Sequence, residues 1–261
     1  MPHDFAHILY ELKRNANSTT FNVSEALTII RKITDTTVIT IKAVQADSRG
    51  PTYYVEDDAL RRNYITNPSF EFDLTSWTQS ITATGTTAAD TAESDSASTS
   101  LKLVMTNSGG SGQVASRHAT ITGLAATEVW STSVAVNFTA LSNSKVILRM
   151  EFLNAGGAVQ ATHDIERTTV TTGFVTLDND NRTAPSNTTQ LRVSLILQST
   201  ASSATGTAYL DSVLAEKASA SGTYFDGDTT KCFWESGLHA SENINDVDGT
   251  AAIAGYFMVS A

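Results

Sequence analysis

The side chains of this chain that could transfer protons are scattered along the sequence. Five histidines occur, His3, His7, His118, His163 and His239. None stands in a helical zinc-binding pattern, and neither a Gly-x-Ser-x-Gly motif nor a phosphate-binding glycine loop is present. His163-Asp164 with Glu166 has residue types that suit acid–base catalysis, but a solvated loop explains the same residues. We therefore predict that the protein is not an enzyme.

Composition excludes several other classes of function. The chain of 261 residues contains only 17% charged residues and carries a formal net charge of −10. Such an acidic chain repels polyphosphates, so we expect no nucleic-acid partner. No apolar run is long enough to span a bilayer, and the first residues lack the order of a secretory signal. Cys232 is the only cysteine, so an internal disulfide is impossible.

The elements that must position any site are predicted to be β-strands. Six segments show alternating or β-branched patterns typical of strands: 100–107, 128–140, 144–154, 173–178, 189–199 and 206–217. Turn-forming residues separate them, for example at 107–112, 154–157, 178–187 and 199–206. Strands without intervening helices predict a mainly β protein, an antiparallel β-sandwich or jelly roll.

The chain has three regions that differ in composition and in the periodicity of their apolar residues. Residues 1–62 include a helical pattern at Phe5, Ile8, Leu9 and Leu12 and a strand pattern at 36–45, and we predict an attachment or oligomerisation region. Residues 63–217 are predicted to form the sandwich. Residues 218–261 are rich in aromatic side chains, and we predict a C-terminal segment that docks on another surface.

The start of the sandwich carries a recognisable motif. Asn67-Pro68-Ser69-Phe70-Glu71 followed by Trp77 resembles the first strand of jelly-roll carbohydrate-binding modules of the family 4/9/22 type. Two later segments agree in order, Ser100-Leu101-Lys102-Leu103 and Ala208-Tyr209-Leu210-Asp211-Ser212-Val213. Phe70 and Trp77 are expected to anchor one end of the core.

A cation is the second expectation at this motif. Glu71 and Asp211 lie on the first and last strands, which approach each other in a jelly roll, and close carboxylates repel unless a cation lies between them. In the resembled modules a structural calcium occupies this position, so the resemblance implies a calcium site at Glu71 and Asp211. Two separately hydrogen-bonded acids are the alternative.

A sugar site needs an aromatic face and polar groups that bind hydroxyls. We select Trp130 as the ring, with Arg149, Glu151 and Gln113 as the polar residues. The alternation around Trp130 also fits a position in the core, and this second interpretation stays open.

The C-terminal region resembles a segment of minor tail proteins of siphophages that infect actinobacteria. Tyr224-Phe225-Asp226-Gly227-Asp228 is followed by Trp234, Gly237 and His239-Ala240-Ser241, and Phe225, Trp234 and His239 are expected to anchor it. The stretch before Trp234 is shorter than the family pattern. The resemblance implies a virion protein in a phage tail or on the particle surface. Its partners would be other virion proteins and host cell-surface glycan, and its state a homo-oligomer, with a trimer favoured.

Two alternatives follow from the same residues. The sandwich could be a scaffold or decoration of capsid or tail without a ligand, its aromatic rings all in the core. It could also be an accessory sugar-binding module of a glycoside hydrolase.

Overall fold

The computed structural model describes residues 61–229 except 83 and 107–108, the strand 232–234, and the backbone of four further strands. The strands in chain order are β1 Thr40–Asp47, β2 Gly50–Glu56, β3 Arg61–Asn63, β4 Thr78–Ile81, β5 Gly85–Asp90, β6 Ser100–Met105, β7 Val114–Thr122, β8 Val129–Ser142, β9 Ser144–Leu153, β10 Val159–Arg167, β11 Val175–Thr183, β12 Gln190–Ser199, β13 Thr205–Glu216, β14 Cys232–Trp234, β15 Asn243–Asn245 and β16 Phe257–Met258. The predicted helix near residue 8 lies outside the described residues. Within them, no helix has the length and hydropathy that a membrane span requires.

Two five-stranded antiparallel sheets form a sandwich. We call β10-β9-β12-β7-β4 the front sheet and β11-β8-β13-β6-β5 the back sheet. Neighbouring strands pair antiparallel throughout both sheets. The predicted antiparallel β-sandwich is confirmed.

Alternation of side chains explains why these segments pair in this way. Successive residues of a strand point to opposite faces, so one apolar set from each sheet can meet in a shared core. Leu148, Met150 and Phe152 of the front sheet and Val134 and Val136 of the back sheet have no exposed surface. All six predicted strands are present, within two residues at most ends.

Four strands of the sandwich lie outside the segments predicted from the sequence: β4, β5, β7 and β10. Their buried faces carry few large apolar residues, so their alternation is weak. The predicted turn at 178–187 is wrong over its first half, because β11 continues to Thr183. A β-bulge between Asn179 and Arg182 lets Asn181 adopt φ 56° inside the strand.

A second bulge changes which side chains of β13 point into the core. Ala208 and Leu210 point into the core, and the register then shifts between Asp211 and Leu214, where Ser212 has φ 53°. Beyond the shift Val213 and Ala215 point into the core. Leu214 therefore points outward, where it belongs to a second apolar cluster.

The chain divides into two units, residues 61–245 and residues 1–60 together with 246–261. The first unit contains the sandwich and a small sheet of order β14-β15-β3. The second unit contains a three-stranded sheet in which β2 pairs antiparallel with both β1 and β16. The strand predicted at 36–45 overlaps β1. This division places the end of the predicted docking segment, from residue 246, in the second unit.

Candidate ligand-binding face

The sandwich has two outer faces, and they differ in what lies on them. On the back sheet, outward-pointing Leu214 packs with Phe225 and Cys232, and Tyr224 packs against that cluster. The residues after the last sandwich strand thus cover part of the back sheet. The outer side of the front sheet carries mainly polar and charged side chains, which makes it the stronger candidate for a binding face. We call it the front face.

Strand register arranges the front face in rows. Residues directly opposite each other on neighbouring antiparallel strands have side chains on the same face. From β10 towards β4, the first row contains Thr162, Glu151, Arg192 and Thr120, and the second contains Asp164, Arg149, Ser194, His118 and Thr78. The third row contains Glu166, Ile147, Ile196, Ser116 and Ser80. Two rows of hydrogen-bonding groups therefore adjoin a row with two buried isoleucines.

Ion pairs fix the charged side chains of these rows. The Arg149 guanidinium binds Asp164 through two hydrogen bonds, Nε to Oδ1 at 2.8 Å and Nη2 to Oδ2 at 2.7 Å. Arg192 Nε donates to Glu151 Oε2 at 2.8 Å, and Lys145 pairs with Glu166. The hydrogen bonds that Arg149 donates to Asp164 raise the pKa of the guanidinium group. Each pair joins neighbouring strands, so the charges are held in place before any ligand arrives.

His118 lies in the second row, opposite Ser194 on one side and Thr78 on the other. Partial burial lowers the pKa of His118, the positive charge of Arg192 lowers it further, and Glu151 offsets part of that effect. The imidazole is therefore neutral at pH 7 and offers one donor and one acceptor.

Two of the four predicted sugar-binding residues lie together on the front face, Arg149 and Glu151. Gln113 precedes β7, and its backbone pairs with Ser199 at the end of the sheet, outside the rows. Asp164, whose residue type and position beside His163 suit acid–base catalysis, is the carboxylate partner of Arg149. His163 points to the opposite side of β10, where its ring contacts Phe152 edge-on. The acid–base group suggested by the sequence is therefore split between two faces.

Trp130 is not on this face. Its side chain has no exposed surface and belongs to the sandwich core, where Tyr64 meets the ring edge-on at 4.9 Å. The indole Nε1 donates to Glu128 Oε2 at 3.2 Å. A ring without an exposed face cannot stack on a sugar, so the core interpretation of Trp130 replaces its selection as a binding residue.

Glu71 and Asp211 hold one loop by hydrogen bonds. Glu71 accepts from the backbone N–H groups of Ser98 and Thr99 at 2.9 and 2.6 Å and from the Ser98 hydroxyl. Asp211, which has no exposed surface, accepts from the N–H groups of Asp95 and Ser96 at 2.8 Å each. Two further donors, the Ser96 hydroxyl and the Ser212 N–H, reach its Oδ1. We call this arrangement the acid cradle.

The contacts of the two carboxylates in the acid cradle are hydrogen bonds from N–H and O–H groups. Within the described part of the chain, no group of three or more His, Cys, Asp or Glu side chains could hold a metal ion. N–H groups point at the carboxylate oxygens, whereas a cation needs those lone pairs itself. A calcium ion shared by Glu71 and Asp211 would have to displace these donors. Calcium binding is a prediction from the sequence resemblance, whereas the contacts of Glu71 and Asp211 match its alternative, two separately hydrogen-bonded acids.

The predicted anchors that the structure describes are buried. Phe70 and Trp77 lie with ring centroids 5.1 Å apart, and Trp77 Nε1 donates to the Asn67 carbonyl at 3.2 Å. Phe70 has φ 59°, an unusual conformation for a bulky residue. Phe225 and Trp234 are also buried. His239 lies outside the described residues.

A close backbone approach accompanies the burial of Trp234. Its Nε1 donates to Asp228 Oδ1 at 3.1 Å. A Cβ atom added to Gly227 would lie 2.3 Å from the indole ring. The Asp226-Gly227-Asp228 turn therefore requires glycine at its centre for the indole to lie where it does.

Comparison with known proteins gave likenesses among solved structures alone. No family model matches the chain, and no curated protein matches it. One matched structure is the enzymatically active domain of tailspike protein 4 of bacteriophage CBA120, at 20% identity and TM-score 0.44, covering 59% of this chain and 21% of that one. Our chain thus spans about a fifth of the length of that tailspike chain.

Carbohydrate-binding modules are also among the matched structures. TmCBM61, solved with β-1,4-galactotriose, is 12% identical with TM-score 0.45, covering 60% of this chain and 99% of that one. The C-terminal family 22 module of Clostridium thermocellum Xyn10B is 18% identical with TM-score 0.44, covering 62% and 97%. Likenesses of this degree identify neither a ligand nor a partner, so the function has to be argued from the chain's own residues.

Proposed function

We propose that the protein is a non-catalytic binding protein whose front face binds glycan. The observation that carries this proposal is the two rows of fixed donors and acceptors across β10, β9, β12 and β7. Guanidinium and carboxylate groups can each bind two neighbouring hydroxyls, which is the pattern that a sugar ring presents. Because the ion pairs already hold these side chains, little conformational entropy is lost when a ligand binds.

We further propose that the protein is a structural component of a phage virion, a minor tail protein that displays the sandwich towards host cell-surface glycan. The support is the order of sequence motifs, in which the Asn67–Glu71 module precedes the Tyr224–Asp228 segment. Weak single contacts become firm attachment when several copies act together, because the later contacts form at high effective concentration. A homo-oligomer, with a trimer favoured, fits this role.

Affinity electrophoresis through gels that contain host cell-wall polysaccharide tests glycan binding. We expect the wild-type protein to be retarded and Arg149→Met to lose about tenfold in affinity, the loss expected for a pair of charged hydrogen bonds. The matched control is Lys102→Met, which removes a paired cation from the back sheet. Equal retardation of both variants would contradict a site on the front face. A reducing-sugar assay on the same polysaccharides should detect no turnover.

Labelling of intact particles with antibodies against the sandwich tests the proposed location. We expect label on the tail. Label confined to the capsid, or absence of the chain from purified particles, would contradict the minor tail assignment.

A ligand-free scaffold is the second candidate, and one observation favours it. All three tryptophans of the chain are buried, with at most 1% of their surface exposed. The described residues therefore offer no indole face on which a sugar could stack. A scaffold would show no retardation in any polysaccharide gel while still assembling into particles.

A further inference from the structure

The charged side chains of the front face form three ion pairs, and each pair joins β9 to a neighbouring strand. Arg149, Arg192 and Lys145 pair with Asp164, Glu151 and Glu166. In the two rows proposed to bind ligand, the Arg149 and Arg192 side chains are each 30% exposed. Their carboxylate partners are 26% and 10% exposed. Each guanidinium is thus accessible to a ligand, but it already holds an anion.

An anionic sugar would have to compete with these carboxylates. Carboxylates and guanidinium groups match each other in a planar, two-point geometry, so Asp164 occupies the position that a uronic acid would take on Arg149. A carboxylate fixed on the neighbouring strand competes at high effective concentration. The protein's net charge of −10 disfavours a polyanion further.

We propose that Asp164 and Glu151 set the charge selectivity of the front face. Because the two carboxylates already pair with Arg149 and Arg192, these guanidinium groups do not bind a second anion. They can still donate hydrogen bonds to sugar hydroxyl groups. The ligand class is therefore an uncharged glycan. This inference rests on the proposed glycan-binding function. The selectivity residues act by occupying the guanidinium groups, and they also accept hydrogen bonds from sugar hydroxyls.

The two carboxylates have different surroundings, so removing each one exposes its guanidinium partner to a different degree of contact with water. Asp164 lies on β10, an edge strand of the front sheet, and its loss leaves the Arg149 fork facing solvent. Glu151 lies on β9 between β10 and β12, and only 8% of the residue is exposed. An anion that replaces Glu151 on Arg192 would therefore be partly shielded from water, where charge-assisted hydrogen bonds are stronger.

The test compares retardation by polygalacturonate, a polyanion, and by neutral mannan, galactan and glucan. Wild type, Asp164→Asn, Glu151→Gln and the double variant are run at low and high salt. Asp90→Asn is the matched control for each single variant, because Asp90 pairs with Lys102 on the back sheet at 2.9 Å and its loss changes the net charge by the same single unit. Circular dichroism melting identifies any variant that fails to fold, and Asp164→Asn on the edge strand keeps the test available if the double variant unfolds.

We expect polygalacturonate to leave the wild type and Asp90→Asn unretarded. The double variant should gain about tenfold in affinity, and the gain should disappear at high salt and when Arg149→Met is added. Retardation of the wild type by polygalacturonate, or folded variants that gain none, would overturn the charge selectivity. Failure of the wild type to bind any neutral glycan would instead refute glycan binding. In that case, a gain in the affinity of the double variant for polygalacturonate would still show that Asp164 and Glu151 exclude anions from the front face.

Discussion

The acid cradle makes the stability of the sandwich depend on the protonation of one residue. Asp211 has no exposed surface, and its burial raises its pKa to about 7. Hydrogen bonds from Ser96, Asp95 and Ser212 oppose this rise, and the negative charge of Asp95 adds to it. In the unfolded chain the same carboxyl group returns to a pKa of about 3.9.

The sign of the effect follows from proton binding. Between about pH 4 and pH 7 the folded state holds a proton on Asp211 that the unfolded state lacks, so acidification favours the folded state. The contribution is fully present below the unfolded pKa and is lost as pH rises through the folded pKa. At 1.36 kcal/mol per pKa unit, the loss between pH 4 and pH 7 amounts to roughly 4 kcal/mol.

Urea unfolding of wild type and Asp211→Asn at several pH values from 5 to 8 measures this loss. The asparagine cannot titrate, so the difference in unfolding free energy between the two proteins isolates Asp211 from all other groups. We expect the wild type to lose roughly 2–3 kcal/mol relative to Asp211→Asn between pH 5 and pH 8, since part of the window lies below pH 5. Parallel pH profiles, or a wild type that gains stability relative to the variant, would refute the reasoning.

Three further predictions follow from described contacts. Gly227→Ala should displace the Trp234 indole, because the new Cβ would lie 2.3 Å from the ring, and a red shift of tryptophan fluorescence with a lower Tm would show it. Trp130→Ala should cost about 3–5 kcal/mol in urea unfolding, because it empties a fully buried volume; a loss below about 1 kcal/mol would contradict its core position. A chelator should leave the Tm unchanged, because hydrogen bonds already engage Glu71 and Asp211; a calcium-dependent Tm that Glu71→Gln abolishes would establish the calcium site instead.

The sandwich could be predicted from the sequence because its central strands have a clear alternation of apolar and polar residues. β8, β9, β12 and β13 carry large or β-branched apolar residues at alternate positions, which is the pattern that two facing sheets require. The outer strands contribute mainly Thr, Ser, Ala and charged residues, so β4, β5 and β10 gave no comparable signal. The bulge near Asn181 could not be predicted either, because a shift of strand register has no characteristic residue composition in the sequence.

The candidate face was predicted in part. Arg149 and Glu151 alternate with apolar residues on a strand that was recognised, so their common outward direction could be inferred. Asp164 and Arg192 become their partners through the register of β10 and β12 against β9, which the pattern of a single strand does not contain. Alternation in TQLRVSLILQS does place Arg192 and Ser194 on one face, and that signal was available.

The bulge at Ser212 lets β13 contribute side chains to two separate apolar clusters, which affects how the protein unfolds. One strand, β13, supplies Val213 and Ala215 to the interior and Leu214 to the residues that follow the sandwich. Amide protons around Phe225 should therefore exchange with solvent in small, local openings when Leu214 is shortened, while those of β9 keep their protection. Local opening of the segment around Phe225 and global unfolding of the sandwich should therefore be separable events, although both involve side chains of β13.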